Sequence, residues 1–346
     1  MASERITLKR LAADLGVSPM TVSNAFNRPD QLSAALRERV LARAGQLGYP
    51  GPDPLARGLR RGRAGSIGVI SDTGLAYAFQ DPAAAAVLGG VCAAVDAEGL
   101  GLLLIPTGGA AALSEAVVDG VVVYSVAHDD PVLALALARR LPAAIVDQPT
   151  GTDLPTVGID DRAGAHAVAA HLTALGHRRF AVVTFGLAPD GRAGFADVAR
   201  RREAAYAVSR ARLAGYEAAL VEAGIDWAAV PVYETAGSGR AEGRAAAERL
   251  LGSPPPTAIL ATSDALALGV LAAAPPGVSV AGFDDIPQAA DAGLTTVRQD
   301  HAAKGRLAGE LLLRALHGER PASPPPLPHE LVVRASTGPA RAAGSA

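Results

Sequence analysis

Apolar residues recur at helical spacing over the first fifty positions of the chain. The pattern predicts a first helix capped by Thr7, a second that begins at Ser18-Pro19, and a third over about 33–47. Ser and Thr favour the N-cap position, and Pro is tolerated in the first turn. Gly16 separates the first two helices. Two short helices across a glycine-containing turn, backed by a third, predict a helix-turn-helix.

The outward face of the second predicted helix lacks the usual charged residues. A helix that only packs against its neighbours carries Glu and Lys on its solvated side. Here the outward positions are mostly short and neutral: Met20, Thr21, Ser23, Asn24 and Asn27. Such a face suits contact with another molecule better than contact with water.

A basic segment, GPDPLARGLRRGRAG, follows at residues 51–65. It predicts a helix of one to two turns that is capped by Asp53 and carries Leu55 and Leu59 on one side, among arginines. Because so short a helix is unstable alone in water, we interpret it as a hinge that orders only against a partner. The alternative is that Leu59 is an exposed leucine of a linker.

From Ser66 onward, short apolar runs rich in β-branched residues alternate with alanine-rich helical segments. This rhythm predicts parallel strands that are buried on both faces. Its resumption after residue 160 predicts two doubly wound units, so the expected fold class of the body is α/β. Since ligands bind at the carboxyl ends of such strands, we expect a shared cleft between the units.

The expected domain boundaries follow these changes in pattern. They are 1–50 for the helix-turn-helix domain, 51–65 for the hinge, 66–338 for the two-lobed body and 339–346 for a tail. Within the body, the expected first lobe is about 66–160 plus 296–322, and the second is about 161–292 plus 326–338. A proline-rich segment, 321–328, is expected to return the chain to its last strand.

Charge divides along the boundary between the helical part and the body. The 346 residues carry a net charge of −2, but residues 1–65 hold 11 Lys and Arg against 5 Asp and Glu, and the remainder holds 21 against 29. A basic first domain on an acidic body is the asymmetry expected when one domain meets a polyanion.

The bulk composition indicates a globular protein of a reducing compartment. Hydrophobic residues make up 49% of the chain, and no apolar run of about 18 residues could span a membrane. The N-terminus lacks the apolar core of a secretory signal. The single cysteine, Cys92, cannot form an internal disulfide. We therefore expect a cytoplasmic protein with no membrane partner.

The sequence gives little support to catalysis, a metal site or a cofactor. His166 and His171 are five residues apart, off the i,i+4 spacing that lets two helical histidines share a metal. Asp284 and Asp285 are neighbours in a predicted strand, so they point to opposite faces and cannot flank one bond. No Gly-x-Gly-x-x-Gly opens a helix after a strand. An enzyme and a transport-type solute-binding protein are the alternatives, and the basic domain and missing signal oppose the second.

Six segments, in order, resemble the lactose-repressor family of bacterial transcription regulators. They are TLKRLAADLGVSPMTVSNAFN, LGYPGPDPLARGLRRGRAGSIGVI, HLTALGHRRFAVV, RLAGYEAAL, TAILATSDALALGV, and VSVAGFDDIP followed by LTTVRQD. Each is modest alone, but their order and intervals from residue 6 to about 338 are specific. The resemblance implies a homodimeric regulator, most often a repressor, that binds a pseudo-palindromic DNA operator. It also implies a body that resembles a periplasmic sugar-binding protein.

The resemblance further implies that the helix from Ser18 to Asn27 lies in the DNA major groove. Asn24 can pair with an adenine edge there, and Met20 can pack on a thymine methyl group. Leu59 would enter the minor groove as a wedge. The expected DNA-contacting residues are Pro19, Met20 and Asn24 at base edges, Thr21, Ser23 and Asn27 at phosphates, Thr7, Ser18 and Tyr49 beside them, and Leu55, Ala56, Arg57 and Leu59 in the hinge. The alternative for Ser23 and Asn27 is an ordinary hydrogen bond at a helix end.

The same resemblance places a small-molecule effector in the cleft. The expected effector-binding residues are Asp72, Phe79, Tyr124 or Ser125, Asp147, Arg212, Ser238, Asp264 and Asp284. Carboxylates accept hydrogen bonds and Arg donates them in a fixed fork, so this set suits the hydroxyl groups of a sugar or nucleoside. The alternatives are that Asp264 caps its helix and that Asp284 caps a turn, and the pair Asp160-Asp161 is interpreted as a helix cap.

Ligand stacking is not favoured, since aromatic residues make up only 4% of the chain. The segment ETAGSGRAEG, which includes Ser238, lacks the aromatic residue that some relatives place near it. We therefore expect a small polar effector held by hydrogen bonds. The sequence leaves open whether this effector releases or promotes DNA binding.

Overall fold

The computed structural model describes residues 6–51, 63–71, 74–106, 109–252 and 254–340. The chain separates into two compact units, Met1–Gly65 and Ser66–Ala346. Each unit is described by itself below. Most of the predicted hinge, including Leu55, Ala56, Arg57 and Leu59, lies outside the described residues, as does Asp72.

The first unit contains the three predicted helices. They are α1 (Leu8–Leu15), α2 (Pro19–Asn27) and α3 (Ala34–Gln46), with a single 3-10 turn at Pro29–Gln31 before the third. A small core holds them together, and its fully buried members include Leu11, Val22 and Val40. The helix-turn-helix prediction is thus confirmed at the level of the fold.

Local chemistry fixes the turn between α1 and α2. Gly16 adopts a left-handed conformation (φ 64°) that ends α1, and glycine reaches this conformation without steric strain. The Oγ of Ser18 accepts a hydrogen bond from the backbone N–H of Thr21 at 3.0 Å, and Pro19 occupies the first turn of α2. The predicted N-caps Thr7 and Ser18 are both confirmed.

The second unit contains two sheets, as the alternating pattern predicted, and the structure shows five strands in each. The first sheet has the order β2-β1-β3-β4-β5, and every pair in it is parallel. Its strands are β1 (Ser66–Ser71), β2 (Gly101–Pro106), β3 (Gly120–Tyr124), β4 (Ala143–Val146) and β5 (Thr156–Val157). The helices that accompany these strands are α4 (Leu75–Gln80), α5 (Pro82–Asp96), α6 (Ala110–Glu115) and α7 (Pro131–Ala138).

The second sheet has the order β10-β9-β6-β8-β7, and only its edge strand β7 runs antiparallel. Its strands are β6 (Phe180–Thr184), β7 (Gly194–Phe195), β8 (Val232–Glu234), β9 (Ala258–Ala261) and β10 (Ser279–Ala281). Its helices are α8 (Asp161–Ala174), α9 (Val198–Arg202), α10 (Ala207–Glu222), α11 (Arg240–Leu250), α12 (Asp264–Ala273) and α13 (Pro287–Asp291). Each sheet with its helices forms one lobe, with apolar cores on both faces.

The last elements tie the two lobes together. Strand β11 (Thr296–Gln299) pairs antiparallel with β12 (His329–Val332), and Arg298 of β11 forms a β-bridge with Asp284 of the second lobe. Helix α14 (His301–Leu316) instead packs against α5 and the first sheet. The chain therefore leaves the second lobe between Gln299 and His301, whereas the sequence analysis assigned all of residues 296–322 to the first lobe.

Helices α5 and α14 touch backbone to backbone. A Cβ atom added at Gly90 of α5 would lie 2.1 Å from the carbonyl oxygen of Ala302, and one added at Gly305 of α14 would lie 2.0 Å from that of Val87. Real Cβ atoms do not approach backbone so closely, so glycine is required at both positions. This contact fixes α14 firmly on the first lobe.

None of the helices in the described parts of the chain combines the length and apolar content needed to cross a membrane.

Candidate functional site

Helix α2 presents a polar surface around one prominent apolar side chain. Met20 is 65% exposed, and Ser18 and Pro19 beside it are exposed as well. Thr21 and Asn24 are half-buried, and the amide nitrogen of Asn24 donates to Oε1 of Gln31 at 3.1 Å. The predicted base-facing positions Pro19, Met20 and Asn24 are thus accessible, although Asn24 holds an intramolecular hydrogen bond.

Three other predicted DNA contacts have roles within the first unit. Ser23 is only 8% exposed, and the amide nitrogen of Asn27 donates to the backbone carbonyl of Ser23 at 3.0 Å. Tyr49 is also 8% exposed, and its ring packs edge-on against Phe26 at 5.8 Å between centroids. Ser23 and Tyr49 therefore offer little surface to a phosphate, and Asn27 makes the helix-end hydrogen bond named as its alternative.

The second unit contains a cleft of about 390 Å³ between its lobes. Six of the nine predicted effector-binding residues line it, from both lobes: Tyr124, Ser125, Asp147, Arg212, Ser238 and Asp284. Asp72 lies outside the described residues. Phe79 is 69% exposed and is not among the lining residues, so its predicted place in the cleft is not supported.

Backbone strain marks the ends of the strands that face this cleft. Ser125 (φ 55°), Asp147 (φ 63°) and Asp284 (φ 123°) all adopt positive φ, which non-glycine residues rarely do. Ser125 and Asp147 directly follow β3 and β4. Strain of this kind persists where the surrounding structure requires it, and it clusters at binding sites.

Arg212 of α10 forms the buried positive centre of the cleft. Its Nε donates to Oδ1 of Asp161 at 2.8 Å, and its Nη1 donates to the carbonyl oxygen of Thr262 at 2.5 Å. The guanidinium stacks on the ring of Phe283 at 3.7 Å from the centroid. Asp160 and Asp161 therefore have different roles. Asp160 caps α8, and Asp161 binds Arg212.

Asp284 lies opposite this guanidinium. Its Oδ1 accepts a hydrogen bond from Nε2 of Gln299 at 2.7 Å and lies 3.6 Å from Nη1 of Arg212. The pKa of the Asp284 carboxyl is raised to about 7, mainly by burial; Arg212 opposes this shift and the nearby Asp81 contributes to it. Asp284 is therefore a strained, desolvated carboxyl group with a second oxygen left for a ligand.

A chain of buried polar contacts runs beneath the cleft from one lobe to the other. The fully buried Nζ of Lys304 contacts Oδ1 of Asp147 and Oε1 of Gln299, and Gln299 in turn donates to Asp284. Asp147 and Lys304 lie on the first lobe, while Gln299 and Asp284 lie on the second. A second link joins the lobes, since the backbone N–H of Val208 donates to Oε1 of Gln148 at 2.9 Å.

Asp264 does not reach the cleft, in contrast to its prediction. It is fully buried at the start of α12, where its Oδ1 accepts from Oγ1 of Thr296 at 2.5 Å and its Oδ2 accepts from the backbone N–H of Ile286 at 3.0 Å. The N-cap of α12 is Ser263 rather than Asp264. Burial raises the pKa of Asp264 well above its usual value, and the neighbouring Asp284 adds to the shift. Its role is to hold the loop that carries Asp284.

Comparison with known proteins identifies both units. A model of the bacterial regulatory proteins of the lacI family matches residues 7–51, and a model of the periplasmic binding protein-like domain matches residues 169–337. An HTH-type transcriptional regulator of Mycobacterium tuberculosis is 45% identical over 326 residues, which cover 90% of this chain and 91% of that protein. This chain belongs to the lacI family of bacterial regulatory proteins.

Solved structures of lacI-family regulators share the whole architecture. The crystal structure of a LacI-family transcriptional regulator from Corynebacterium glutamicum gives a TM-score of 0.74 at 36% identity, covering 96% of this chain and 99% of that one. The complex of the transcriptional regulator CelR with cellobiose gives a TM-score of 0.69 at 26% identity, covering 96% and 100%. Within the family, the first unit is the DNA-binding domain of a transcription regulator.

Several residues of this lacI-family cleft were missed by the sequence analysis. They are Asp81, Gln148, Phe185, Tyr206, Thr235, Ser263 and His301. Gln148, Phe185 and Thr235 lie one or two residues beyond a strand, so the rule that ligands bind at the carboxyl ends of parallel strands could have found them. His301 begins a helix, and no local pattern distinguishes it.

The segment before Arg212 forms one rim of the cleft. Ala188, Pro189, Gly191 and Arg192 line the cleft there. Arg200 of α9 anchors the rim, since it bonds both to the exposed Asp190 and to the buried Glu234 of β8, at 2.8 and 2.7 Å. Among the residues that the structure describes, no group of three His, Cys, Asp or Glu side chains could hold a metal ion.

Proposed function

We propose that this lacI-family protein is a homodimeric repressor whose affinity for a pseudo-palindromic operator is set by a small polar effector bound in the cleft. The observation that carries the proposal is the buried polar chain Asp147–Lys304–Gln299–Asp284. It runs beneath the cleft and ends in two lining carboxyl groups, one from each lobe. A ligand that bonds these groups contacts both lobes at once.

Helix α2 supports the DNA-binding part of the proposal. Met20 and Pro19 project from its N-terminal turn, which suits contact with base edges by shape and with thymine methyl groups. The N-terminal ends of α1 and α2 are capped by the short hydroxyl side chains of Thr7 and Ser18, and such helix ends bind phosphate through backbone N–H groups. The hinge residues Leu55, Ala56, Arg57 and Leu59 complete the expected interface.

Linkage provides the mechanism of control. The effector prefers one relation of the two lobes, and the operator prefers the relation in which the hinge helices of a dimer pair. Effector and DNA must then change each other's affinity by the same factor. The complex of the similar regulator CelR with cellobiose supports a sugar or related metabolite as the effector class.

The two rival functions fit the molecule less well. A cytoplasmic solute-binding protein has no need of a helix-turn-helix domain matched to the lacI family. A sugar-acting enzyme needs a pair of carboxyl groups free to act on one bond. Here Asp147 and Asp284 are each bound to a buried partner, Lys304 and Gln299, and we propose that the protein is not an enzyme and acts in the cytoplasm.

Two measurements on the full-length protein test this function. Selection from a pool of random duplexes, followed by anisotropy titration at several salt concentrations, should yield a two-fold symmetric site bound with a steep salt dependence. Sugars, polyols and nucleosides are then screened by thermal shift, since a ligand of the native state raises its melting temperature. A compound that raises the melting temperature should also change operator affinity, and the direction reports the sign of control. Binding without sequence preference would contradict the proposal.

A further inference from the structure

His301 is a cleft-lining histidine whose ring has no partner. It is the first residue of α14, and its side chain is nine-tenths buried. Neither ring nitrogen makes a hydrogen bond within the part of the chain that the structure describes. Its Nε2 lies 3.7 Å from Oδ1 of Asp284, which is beyond hydrogen-bond distance. Buried polar groups are nearly always hydrogen-bonded. An unpaired ring in the wall of a cleft therefore suggests that a bound molecule supplies its hydrogen-bond partner.

The protonation state of His301 narrows the kind of partner it can take. The pKa of His301 is lowered to about 3, mainly by burial, with contributions from the nearby Lys304 and Arg212. The ring is therefore neutral at physiological pH, with one nitrogen that donates and one that accepts. A ligand hydroxyl group also donates and accepts. A hydroxyl between His301 and Asp284 can donate to one of them and accept from the other, which suits this position.

The charges around His301 disfavour an anionic ligand. The carboxyl groups of Asp81 and Asp284 line the cleft from opposite lobes. The buried basic groups nearby are already engaged, because Arg212 bonds Asp161 and Lys304 bonds Asp147. Arg192 is exposed at the rim. An anion that passed Arg192 and reached His301 would therefore lie beside carboxyl groups, where the buried cations are already bound to carboxylates.

We propose that His301 is a specificity-determining residue that binds one hydroxyl group of an uncharged polyhydroxylated effector, and that the cleft discriminates against anionic derivatives of that effector. The inference deepens the proposed function and rests on the effector cleft assigned there. It names the chemical class of the ligand and the residue that selects it.

The class of ligand is tested on the full-length protein by calorimetry and thermal shift. The probes are neutral aldoses, alditols and cyclitols, each beside its carboxylate derivative and its phosphate monoester. We expect at least one neutral compound to bind, with its anionic derivatives bound at least ten-fold more weakly. Equal or tighter binding of the anionic derivatives, or no binding of any neutral compound, would overturn the inference. An anionic compound that binds and changes operator affinity would overturn it while leaving the proposed function intact.

The role of His301 is tested by His301→Phe, which keeps a planar ring and removes both nitrogens. We expect its melting temperature without ligand to equal or exceed that of the unsubstituted protein, because two unpaired buried nitrogens are lost. Affinity for the strongest neutral ligand should fall by about three- to ten-fold, the usual effect of one hydrogen bond. The monodeoxy derivative that lacks the contacted hydroxyl should bind both proteins equally.

Two further variants distinguish a role of His301 in ligand selection from a role in stabilising the fold. His301→Gln retains a donor and an acceptor, so its affinity should lie nearer to that of the unsubstituted protein than the affinity of His301→Phe does. His317→Phe, at the exposed end of the same helix, should change neither melting temperature nor affinity. Unchanged affinity in His301→Phe for every compound, or a lowered melting temperature with all ligands weakened alike, would assign His301 a structural role instead.

Discussion

The Nζ of Lys304 rests against the carboxylate of Asp147 in the floor of the cleft, where the lysine side chain is fully buried. Asp147 ends β4 of the first sheet, and Lys304 lies one turn into α14. The same ammonium group contacts Gln299 of the second lobe. One buried charge therefore bonds to both lobes at the place where the chain passes between them.

We predict that Lys304→Met lowers the free energy of unfolding by about 3 kcal/mol, because removing one member of a buried pair leaves the other without its partner. Urea denaturation of the full chain measures the loss. Arg306→Met on the same helix is the matched control, since its ion pair with Glu310 is exposed and should contribute little. Adding Asp147→Asn to Lys304→Met should recover part of the stability. Equal stability of the two single variants would show that the buried pair contributes nothing special.

We predict that Asp284→Asn changes how stability depends on pH. The pKa of Asp284 is raised to about 7 in the folded protein from 3.8, so the native state holds a proton that the unfolded state has lost. The stability that this carboxyl group contributes is present at low pH and declines as pH rises from about 4 to about 7. Asparagine cannot titrate. The difference in unfolding free energy, variant minus unsubstituted protein, should thus increase by on the order of 2 kcal/mol between pH 4 and pH 8.

Denaturation series at several pH values measure this difference. Asp291→Asn, an exposed substitution on the same lobe, is the control and should run parallel to the unsubstituted protein. Asp284→Asn should also weaken the response of operator binding to effector. A pH-independent difference would mean that Asp284 is already ionised at low pH. An unchanged effector response would mean that the ligand does not bind this residue.

For the DNA-binding surface, we predict that Asn24→Ala relaxes sequence preference at one base position in each half-site. One lost amide contact to an adenine edge corresponds to about 1–3 kcal/mol at that position. In the structure, the Asn24 amide bonds Gln31, so reading a base requires it to leave that partner. Titration against operators substituted at each position measures the effect. Asn27→Ala is the comparison, since the Asn27 amide is bound to Ser23 and should affect all sequences alike. An Asn24→Ala protein with the original base preference would exclude this role.

Leu59→Ala should weaken operator binding and leave effector binding unchanged. Leu59 lies outside the described residues, and the prediction rests on its place in the hinge segment and on the family wedge that opens a base step in the minor groove. Anisotropy with the selected operator and calorimetry with the effector provide the two readouts. Operator affinity equal to that of the unsubstituted protein would show that Leu59 does not act as a wedge. Loss of both operator binding and effector binding would indicate unfolding instead.

The helices and strands could be predicted from local sequence patterns because interactions between near neighbours determine them. The caps at Thr7 and Ser18, the left-handed Gly16 and the apolar runs that became strands depend on neighbours a few residues away. The family resemblance, rather than a local pattern, placed Asp147 and Asp284 in the cleft, and both line it in the structure. The resemblance failed for Asp264, because its carboxyl group turns inward to bind Thr296 and Ile286, residues that are distant in sequence.

The parts of the cleft that could not be predicted depend on contacts over long sequence separations. Lys304 is a charged residue inside a helical pattern, and the pattern alone would place it in solvent. Its burial follows from Asp147, which lies 157 residues away. His301 lines the cleft only because α14 returns to the first lobe after the chain has completed the second. Neither fact is visible in a sequence window.

The glycine contact between α5 and α14 decides which side each cleft residue travels with. Because Gly90 and Gly305 let the backbones of α5 and α14 touch, α14 is fixed on the first lobe. His301 and Lys304 lie on α14 and so belong to the first lobe, while Gln299 and Asp284 lie on the second lobe. We therefore expect rocking of one lobe on the other to change the Lys304–Gln299 contact, so that the separation of those two side chains reports how far the cleft has opened.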